Sequence, residues 1–460
     1  MRGRGVAVLA GALALLGVYG AADAADVVPG VLTTEAPPPE ARPYPELALP
    51  GDGLVPASVP ELDPEAPRPT GAGLSALTRA LGEDYRMTGT IGMVVADVAT
   101  GEVLHARDPD TPRTTASSVK LLTAAAALDA LGPGHQLTTR VVRPAPDAVT
   151  LVGGGDIMLA DGQGDQDAVN GRAGLADLAA ATAETLAADG TTSVSVALDD
   201  SLFTGPVHLP DWGGIDLNYV MPIQPLAVDV GQADQYYLPD PALAAARAFA
   251  EALAGHGVDV AGGVTRAAAP ADAEVLAEAA SAPLNQVVRH MLKTSDNSLA
   301  EVLGRLVALD RGVEPSFDGA AASVQAQLTD LGLGVGETHL ADTSGLSVQD
   351  RVPAGVLVEV LLATLSEEHP ALSGVTAALP VAGLDGTLAE RLTDTPASGS
   401  LRAKTGTLVE SVSLSGSVVT ADGRHLVFAT LLNDLEVGTA LQARLAVDDW
   451  AAELAACGCR

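Results

Sequence analysis

Ser117 and Lys120 stand three residues apart in Thr115-Ala-Ser-Ser-Val-Lys-Leu-Leu-Thr-Ala124, at the head of an apolar, Ala/Leu-rich run that reads as a helix. Residues at i and i+3 share a helical face, so the hydroxyl and the amine can enter one cavity. A serine is a poor nucleophile near neutral pH. It needs a base within hydrogen-bond reach, and a lysine serves once burial or a neighbouring cation lowers its pKa. On an ordinary surface helix the same pair would do no chemistry, and S-x-x-K alone is a short motif that chance often produces. Lysine usage separates the two readings. Only three of the 25 basic residues are lysines, Lys120, Lys293 and Lys404, and the other 22 are arginines. Lys293 precedes Ser295-Asp296-Asn297 by two residues, and Lys404 opens Lys404-Thr405-Gly406. An ammonium has a tunable pKa that a guanidinium lacks. Lysines kept on or beside motifs therefore point to chemistry rather than surface charge.

The elements that must position these groups read as an α+β fold. A short helix is expected over Leu74–Leu81, then a hairpin, Ile91–Val98 and Glu102–His105, turning at Thr100-Gly101. The helix carrying Ser117 and Lys120 follows and ends near Gly132-Pro133. Ser295-Asp296-Asn297 interrupts a helical region from Leu284 to Leu309; such residues favour caps and turns, so the triplet reads as a polar connection into a cleft or as a plain N-cap. Three strand-like runs, Leu401–Val409, Ser411–Thr420 and Arg424–Leu432, form an antiparallel meander with Lys404-Thr405-Gly406 on the first, and a final helix runs from Thr439 to about Ala456. Gly406 lets the backbone approach a ligand. Between the first two motifs, residues 134–282 mix short strands with Ala-rich helices, and Gly153-Gly154-Gly155-Asp156 marks a tight turn. Chemistry-bearing motifs lie on both sides of this stretch, so it reads as an inserted mixed α/β domain. The catalytic domain is then 71–133 together with 283–460.

Bulk properties bound the rest. A chain of 460 residues suits two or three domains. A formal charge of −33 argues against nucleic acid and against an anionic membrane surface. Arg2 and Arg4 precede an apolar run from Val6 to about Ala22, and Ala22-Asp23-Ala24 offers small residues for cleavage. This reads as a signal peptide over residues 1–24; the alternative, an uncleaved anchor, would be the sole membrane contact. Either way the bulk of the protein lies outside the cytoplasmic membrane, secreted or in the cell envelope. Residues 25–70 form a Pro-rich linker. Cys457 and Cys459, one residue apart, cannot staple a core and supply too few ligands for a metal. No metal site and no cofactor are indicated.

The ordered trio S-x-x-K, S-D-N and K-T-G is the set used by penicillin-binding proteins and class A β-lactamases. Beyond the trio, the chain resembles the low-molecular-mass (class C) penicillin-binding proteins of the D-alanyl-D-alanine carboxypeptidase/endopeptidase type. The resemblance lies in Leu151-Val-Gly-Gly-Gly-Asp156, Met291-Leu-Lys-Thr-Ser-Asp-Asn-Ser-Leu-Ala-Glu301, Asp342-Thr-Ser-Gly-Leu-Ser347 with Arg351, Leu379-Pro-Val-Ala-Gly-Leu-Asp-Gly-Thr-Leu388 and Arg402-Ala-Lys-Thr-Gly-Thr407. The 178 residues from Ser117 to Ser295 exceed the spacing in a class A β-lactamase, and are fewer than in the largest family members, which carry a third domain.

The resemblance implies a penicillin-binding/β-lactamase-like serine peptidase domain, an antiparallel sheet packed with helices, acting on peptidoglycan peptides and acylated by β-lactam antibiotics. Ser117 would attack the D-alanyl carbonyl, with Lys120 as general base. Ser295 would relay a proton to the leaving amine in the field of Lys404, and Asn297 would hold the substrate amide. Thr405 and Thr407 would grip the terminal carboxylate, and the N–H groups of Ser117 and Thr407 would form the oxyanion hole. Arg351 would meet a carboxylate at the far end of the peptide, and Asp199 or Asp200 a free amine there; an ion pair or a surface carboxylate explains these residues equally well. A β-lactamase on the same scaffold would need an added deacylating carboxylate, which no motif identifies. A non-catalytic wall-binding protein would have no need of both Ser117 and Lys120. The absence of a G-x-S-x-G elbow disfavours a Ser-His-Asp hydrolase.

Overall fold

Alternating residues on two adjacent strands face two different cores. On β1 (Thr90–Asp97), Val94 and Ala96 join a helical core with Val427, Ala429 and Leu431 of a strand near the C-terminus. Ile91, Met93 and Val95 join Leu426, Phe428 and Leu432 on the other side. Side chains on a strand alternate faces, and here both faces are covered, so these strands read as nearly unbroken apolar runs rather than as alternation.

The structure, a computed structural model, describes residues 16–23, 25, 27, 62–63, 65–233 and 236–456. The expected cleavage site at Ala24, most of the Pro-rich stretch, Cys457 and Cys459 lie outside the described residues. Residues 16–23 are helical, and among the described residues no helix is long and apolar enough to cross a membrane. From Leu62 onward the chain forms one compact unit. Its contacts begin earlier than the expected boundary at 71. Ala66 is buried and its carbonyl accepts from Arg424 Nη1 at 3.3 Å, while Arg68 pairs with Glu102. A main-chain carbonyl and two arginines, Arg424 and Arg68, hold this proline-rich end without any apolar period.

In chain order, α1 (Gly71–Glu83) and β1 are followed by β2 (Val103–Arg107) and α2 (Lys120–Leu131). Then come β3 (Thr138–Ala145), β4 (Ala148–Val152), β5 (Asp156–Leu159), α3 (Leu175–Ala188), β6 (Ser193–Asp199), β7 (Leu226–Val228), α4 (Pro241–Gly255), β8 (Asp259–Val260) and β9 (Glu274–Ala280). The last third holds α5 (Leu284–Thr294), α6 (Asn297–Asp310), α7 (Phe317–Asp330), α8 (Ala354–Ala363), β10 (Leu401–Thr407), β11 (Val412–Val419), β12 (His425–Asn433) and α9 (Ala440–Ala456).

The main sheet is antiparallel, ordered β10-β11-β12-β1-β2, so β10 with Lys404-Thr405-Gly406 is an edge strand. Helices α1 and α9 cover one face, where Phe428 meets Trp450 edge-on at 5.6 Å between ring centroids. Helix α2 is buried from Lys120 to Leu128 and lies at the centre of the helical layer on the other face, packed by α6, α7 and α8. An apolar helix without a polar face suits such a position.

The stretch between the first two motifs builds a second, mixed sheet, ordered β8-β6-β4-β3-β9, with its own core of Val141, Leu151, Leu198 and Phe249. It is not self-contained. Trp212, Val220, Met221 and Ile223 pack into the helical core, Trp212 edge-on to Phe317 at 5.0 Å. Of the three glycines expected to form a tight turn, Gly155 makes the bend at φ 97°, while Gly153 and Gly154 also mark close backbone approach: a Cβ on Gly154 would lie 1.9 Å from the Thr138 carbonyl oxygen.

Candidate active site

Ser117 lies in a 3-10 turn, Ala116–Val119, and α2 begins only at Lys120. This corrects the expectation of a single α-helix, and it brings the pair together more directly, because side chains at i and i+3 eclipse in 3-10 geometry. Lys120 Nζ donates to Ser117 Oγ at 3.0 Å. Two glycines press on the turn from either side. Gly345 (φ 80°) runs so close that a Cβ there would lie 1.9 Å from the Ala116 carbonyl oxygen. A Cβ on Gly406 would lie 2.8 Å from the Thr115 carbonyl oxygen. Between them Ala116 is held at φ 47°, a left-handed conformation unusual for alanine. Ser413 Oγ of β11 donates to the Thr115 carbonyl at 2.6 Å.

The second motif is both a connection and a cap. Helix α5 ends at Ser295 in the left-handed region (φ 60°, ψ 37°), and Asp296 caps α6 by accepting from Leu299 N at 2.8 Å. The reversal sends Ser295 toward β10, where Lys404 Nζ donates to Ser295 Oγ at 2.9 Å and to the Thr405 carbonyl at 2.8 Å. Asn297, the first residue of α6, accepts from Lys120 Nζ at 2.6 Å through Oδ1 and donates to the Tyr219 carbonyl at 2.9 Å through Nδ2. Thr405 Oγ1 meets Thr387 Oγ1 at 2.8 Å. Ser117, Ser295 and Asn297 are partly accessible, Thr407 is exposed, and both lysines are fully buried.

Two buried ammonium groups side by side are electrostatically costly. Burial lowers the Lys120 amine to about 8, opposed by the carboxylates of Asp342, Asp296, Glu301 and Asp350. Burial, then the charges of Lys120 and Arg391, hold Lys404 well below the ordinary lysine value. A neutral amine beside a serine hydroxyl can take its proton.

The remaining expected residues are disposed differently. Lys293 is outside the cluster: its ammonium is clasped by Asp385 at 2.6 Å and by the Leu379 carbonyl at 2.7 Å. Arg351 Nη1 donates to Thr114 Oγ1, the Val348 carbonyl and the Asp350 carbonyl, at the edge of a 640 Å³ cavity shared with Leu408 and Ser411, just past Thr407. The Asp199 carboxylate is engaged within the second sheet, accepting from Ser201 N, Ser201 Oγ and Ala269 N, while Asp200 pairs with Arg266. The ion-pair reading left open for Asp200 is the arrangement found. Three groups in the site escaped sequence reasoning. The carbonyls of Ser344 and Tyr219 are main-chain atoms, which leave no side-chain signature. Thr387 stood in a stretch quoted for its resemblance, with no role attached.

The antiparallel sheet, its helical layer and three motifs meeting at one serine define an enzyme of the penicillin-binding class. The sequence model of the D-Ala-D-Ala carboxypeptidase 3 (S13) family matches residues 75–239 and 235–454. A carboxypeptidase of Mycobacterium tuberculosis is 36% identical over 92% of this chain and 90% of its own length. Carboxypeptidase DacB of Mycolicibacterium smegmatis is 36% identical over 99% of this chain and 95% of its own. The crystal structure of penicillin binding protein 4 from Haemophilus influenzae shares the fold, with a TM-score of 0.68 at 22% identity over 83% of this chain and 98% of that one. The chain belongs to the S13 family of serine peptidases and is a D-Ala-D-Ala carboxypeptidase.

Proposed function

We propose that the enzyme cleaves the D-alanyl-D-alanine end of peptidoglycan stem peptides through an acyl-enzyme on Ser117, and that β-lactams arrest it by forming a long-lived ester there. The observation that carries this reading is the hydrogen-bonded pair Lys120 Nζ–Ser117 Oγ at 3.0 Å, with a second pair, Lys404 Nζ–Ser295 Oγ at 2.9 Å, on its other side. Neutral Lys120 takes the Ser117 proton as Oγ adds to the carbonyl. As the C–N bond breaks, Ser295 delivers a proton to the departing D-alanine amine and is reprotonated by the Lys404 ammonium bonded to it. Water then attacks the ester, its proton returning by way of Ser295 to Lys404 while the proton on Lys120 returns to Ser117. The N–H groups of Ser117 and Thr407 stabilise the oxyanion. The outer side of edge strand β10 bonds to residues 380–382 as far as Ala403, and beyond Ala403 it is available for an extended peptide to pair with its backbone. Thr405, Thr407 and Lys404 receive the terminal carboxylate, and Asn297 holds the penultimate amide.

The substrate carboxylate also answers the electrostatic problem of two buried lysines. An anion beside Lys404 favours its charged form, so a bound substrate carboxylate shifts Lys404 toward the ammonium. Arg351 and its cavity lie past Thr407, on a course suited to the distal part of the peptide; Asp199, engaged by Ser201 and Ala269, is a weaker candidate for that end. Residues 134–282 act as an insertion that narrows the cleft through Tyr219. The working location is the cell envelope, outside the cytoplasmic membrane. A solved structure of the Haemophilus influenzae protein holds a β-lactam, which supports the inhibitor class on this fold.

Incubation with benzylpenicillin followed by intact-mass and peptide mass spectrometry tests the assignment. One adduct per chain on Ser117 is expected, with none on Ser117→Ala while its thermal midpoint is kept. An adduct on the alanine variant excludes Ser117 as nucleophile, and rapid turnover of penicillin favours a lactamase. Products from a pentapeptide and from a cross-linked dimer, scored separately, apportion carboxypeptidase and endopeptidase action.

A further inference from the structure

Lys120 Nζ has three hydrogen-bond partners: Ser117 Oγ at 3.0 Å, Asn297 Oδ1 at 2.6 Å and the Ser344 carbonyl at 2.6 Å. The last two are oxygens that only accept. A neutral amine has two N–H groups and one lone pair. If both N–H groups go to these acceptors, the lone pair is left facing the hydroxyl of Ser117. The direction of the base therefore depends on how firmly the two acceptors are held.

Asn297 is fixed by α6 and by its bond to Tyr219. The Ser344 carbonyl lies on a loop, and that loop is organised by one side chain. Asp342, fully buried, accepts from Ser344 N at 3.0 Å and Gly345 N at 2.6 Å through Oδ1. Through Oδ2 it accepts from Ser347 N at 2.6 Å and from Trp212 Nε1 at 3.1 Å. Both carboxylate oxygens are thus committed to N–H donors, three of them from the loop itself. Thr343 ties the loop to its surroundings, its carbonyl accepting from Thr123 Oγ1 of α2 and its N–H donating to Glu301 of α6.

Resting on the reading of Ser117 as nucleophile and Lys120 as base, we propose that Asp342 is a positioning residue which, through the Ser344 carbonyl, aims the lone pair of Lys120 at Ser117. Trp212 extends the chain of contacts, so the stretch between the first two motifs reaches the base through its indole N–H.

Asp342 also acts on Lys120 by charge. The groups facing this amine are Asp342 and Asp350 from the loop, Asp296 and Glu301 from the S-D-N connection and α6, and Lys404 from β10. Arg305 lies behind Glu301, at 3.2 Å from its carboxylate. The carboxylates favour the ammonium form of Lys120, so removing the charge of Asp342 makes its proton easier to lose.

Asp342→Asn places an amide NH₂ where a carboxylate oxygen now accepts two N–H bonds, and it removes the charge. The second-order rate of acylation by benzylpenicillin is expected to fall about 100-fold, the order produced by small misplacements of catalytic groups. The rising limb of its pH profile should move to lower pH. Trp212→Phe keeps the ring against Phe317 and deletes one donor; a fall of about 3- to 10-fold is expected, with the limb in place, as for one lost hydrogen bond. A folded Asp342→Asn enzyme that acylates at the wild-type rate, or that loses rate equally at every pH with its limb unmoved, overturns the proposal. Should that variant fail to fold, a wild-type rate in Trp212→Phe overturns it instead. Absence of a Ser117 adduct on the wild-type chain would defeat the nucleophile assignment; a normal wild-type adduct with unaffected variants defeats the role of Asp342 alone.

Discussion

At Lys120 complete burial and the surrounding carboxylates act in opposite directions. Burial favours the free amine, whereas the charges of Asp342, Asp296, Glu301 and Asp350 favour the ammonium. Burial wins by enough to bring the group to about 8, within reach of neutral pH. Acylation by the proposed route needs the free amine, so its rate should rise with pH through that value and level off above it, well below where an ordinary lysine at 10.5 would act. Rates of penicillin acylation between pH 5.5 and 9.5 check this, and a flat profile across that range would remove Lys120 as the base. Lys404 behaves differently because a substrate carboxylate can compensate its charge. At this scale the sequence was informative where a side chain does the work: Ser117, Lys120, Ser295, Asn297 and Lys404 were legible from residue type and spacing and meet in one cluster. Lys293 shows the limit of the lysine argument. It neighbours a motif, yet its ammonium fastens Asp385 and the Leu379 carbonyl.

The elements converge on the turn that carries Ser117. A loop from the helical layer and an edge strand of the sheet both approach it at glycine, and the strained Ala116 is the result. Gly345→Ala should therefore be severe, since its Cβ would fall 1.9 Å from the Ala116 oxygen and its φ of 80° disfavours any side chain. A loss of about 2 kcal/mol or more in unfolding free energy is expected, with penicillin labelling slowed in whatever remains folded. Denaturant unfolding and labelling kinetics measure both, and a variant of wild-type stability would show that the contact is loose. Strands and helices themselves were largely legible. Periodicity located the meander, now Leu401–Thr407, Val412–Val419 and His425–Asn433, and the helix break at Ser295 followed from cap-forming side chains. What escaped were relations between distant segments. Nothing in Gly153-Gly154-Gly155, which does bend at Gly155, discloses that the first two also lie where two backbones touch. Nor does the pattern of residues 209–230 disclose that Trp212 and Met221 leave the second core for the first.

Across the whole molecule, buried acids set how stability responds to pH. Burial raises Asp156 and Glu301 to about 7 from ordinary values of 3.8 and 4.5, and it raises Asp350 and Asp296 as well. The folded state then holds protons that the unfolded chain has released. Stability from these groups is fully present below their ordinary values and is lost as pH rises through their raised ones, about 7 for Asp156 and Glu301. Asp97, Asp240 and Asp385 run the other way: lowered by Arg424, Arg266 and Lys293, they contribute above 3.8 and lose that contribution as pH falls. Lys120 adds stability only as pH climbs from about 8 toward 10.5, where the unfolded chain still binds the proton. These acids and Lys120 together contribute most in mild acid and least near pH 7 to 8, where the chain is also strongly anionic, with a formal charge of −33; His105, His208 and His425, lowered by burial, oppose part of that fall as pH rises toward 6.5. The Lys120 amine therefore loses its proton as the fold approaches its least stable range, because burial of ionisable groups governs both. Thermal midpoints should fall from pH 5.5 to 7.5. Added salt should relieve the part due to surface self-repulsion and leave the part due to buried acids. Asp156→Asn separates the two, since its amide carries no charge at any pH; relative to wild type it should gain stability from pH 4 to about 7 and level off above. A wild-type midpoint that stays level or rises to pH 7.5, or an Asn variant whose difference from wild type does not vary with pH, would show that these acids are ionised at no cost in the folded protein.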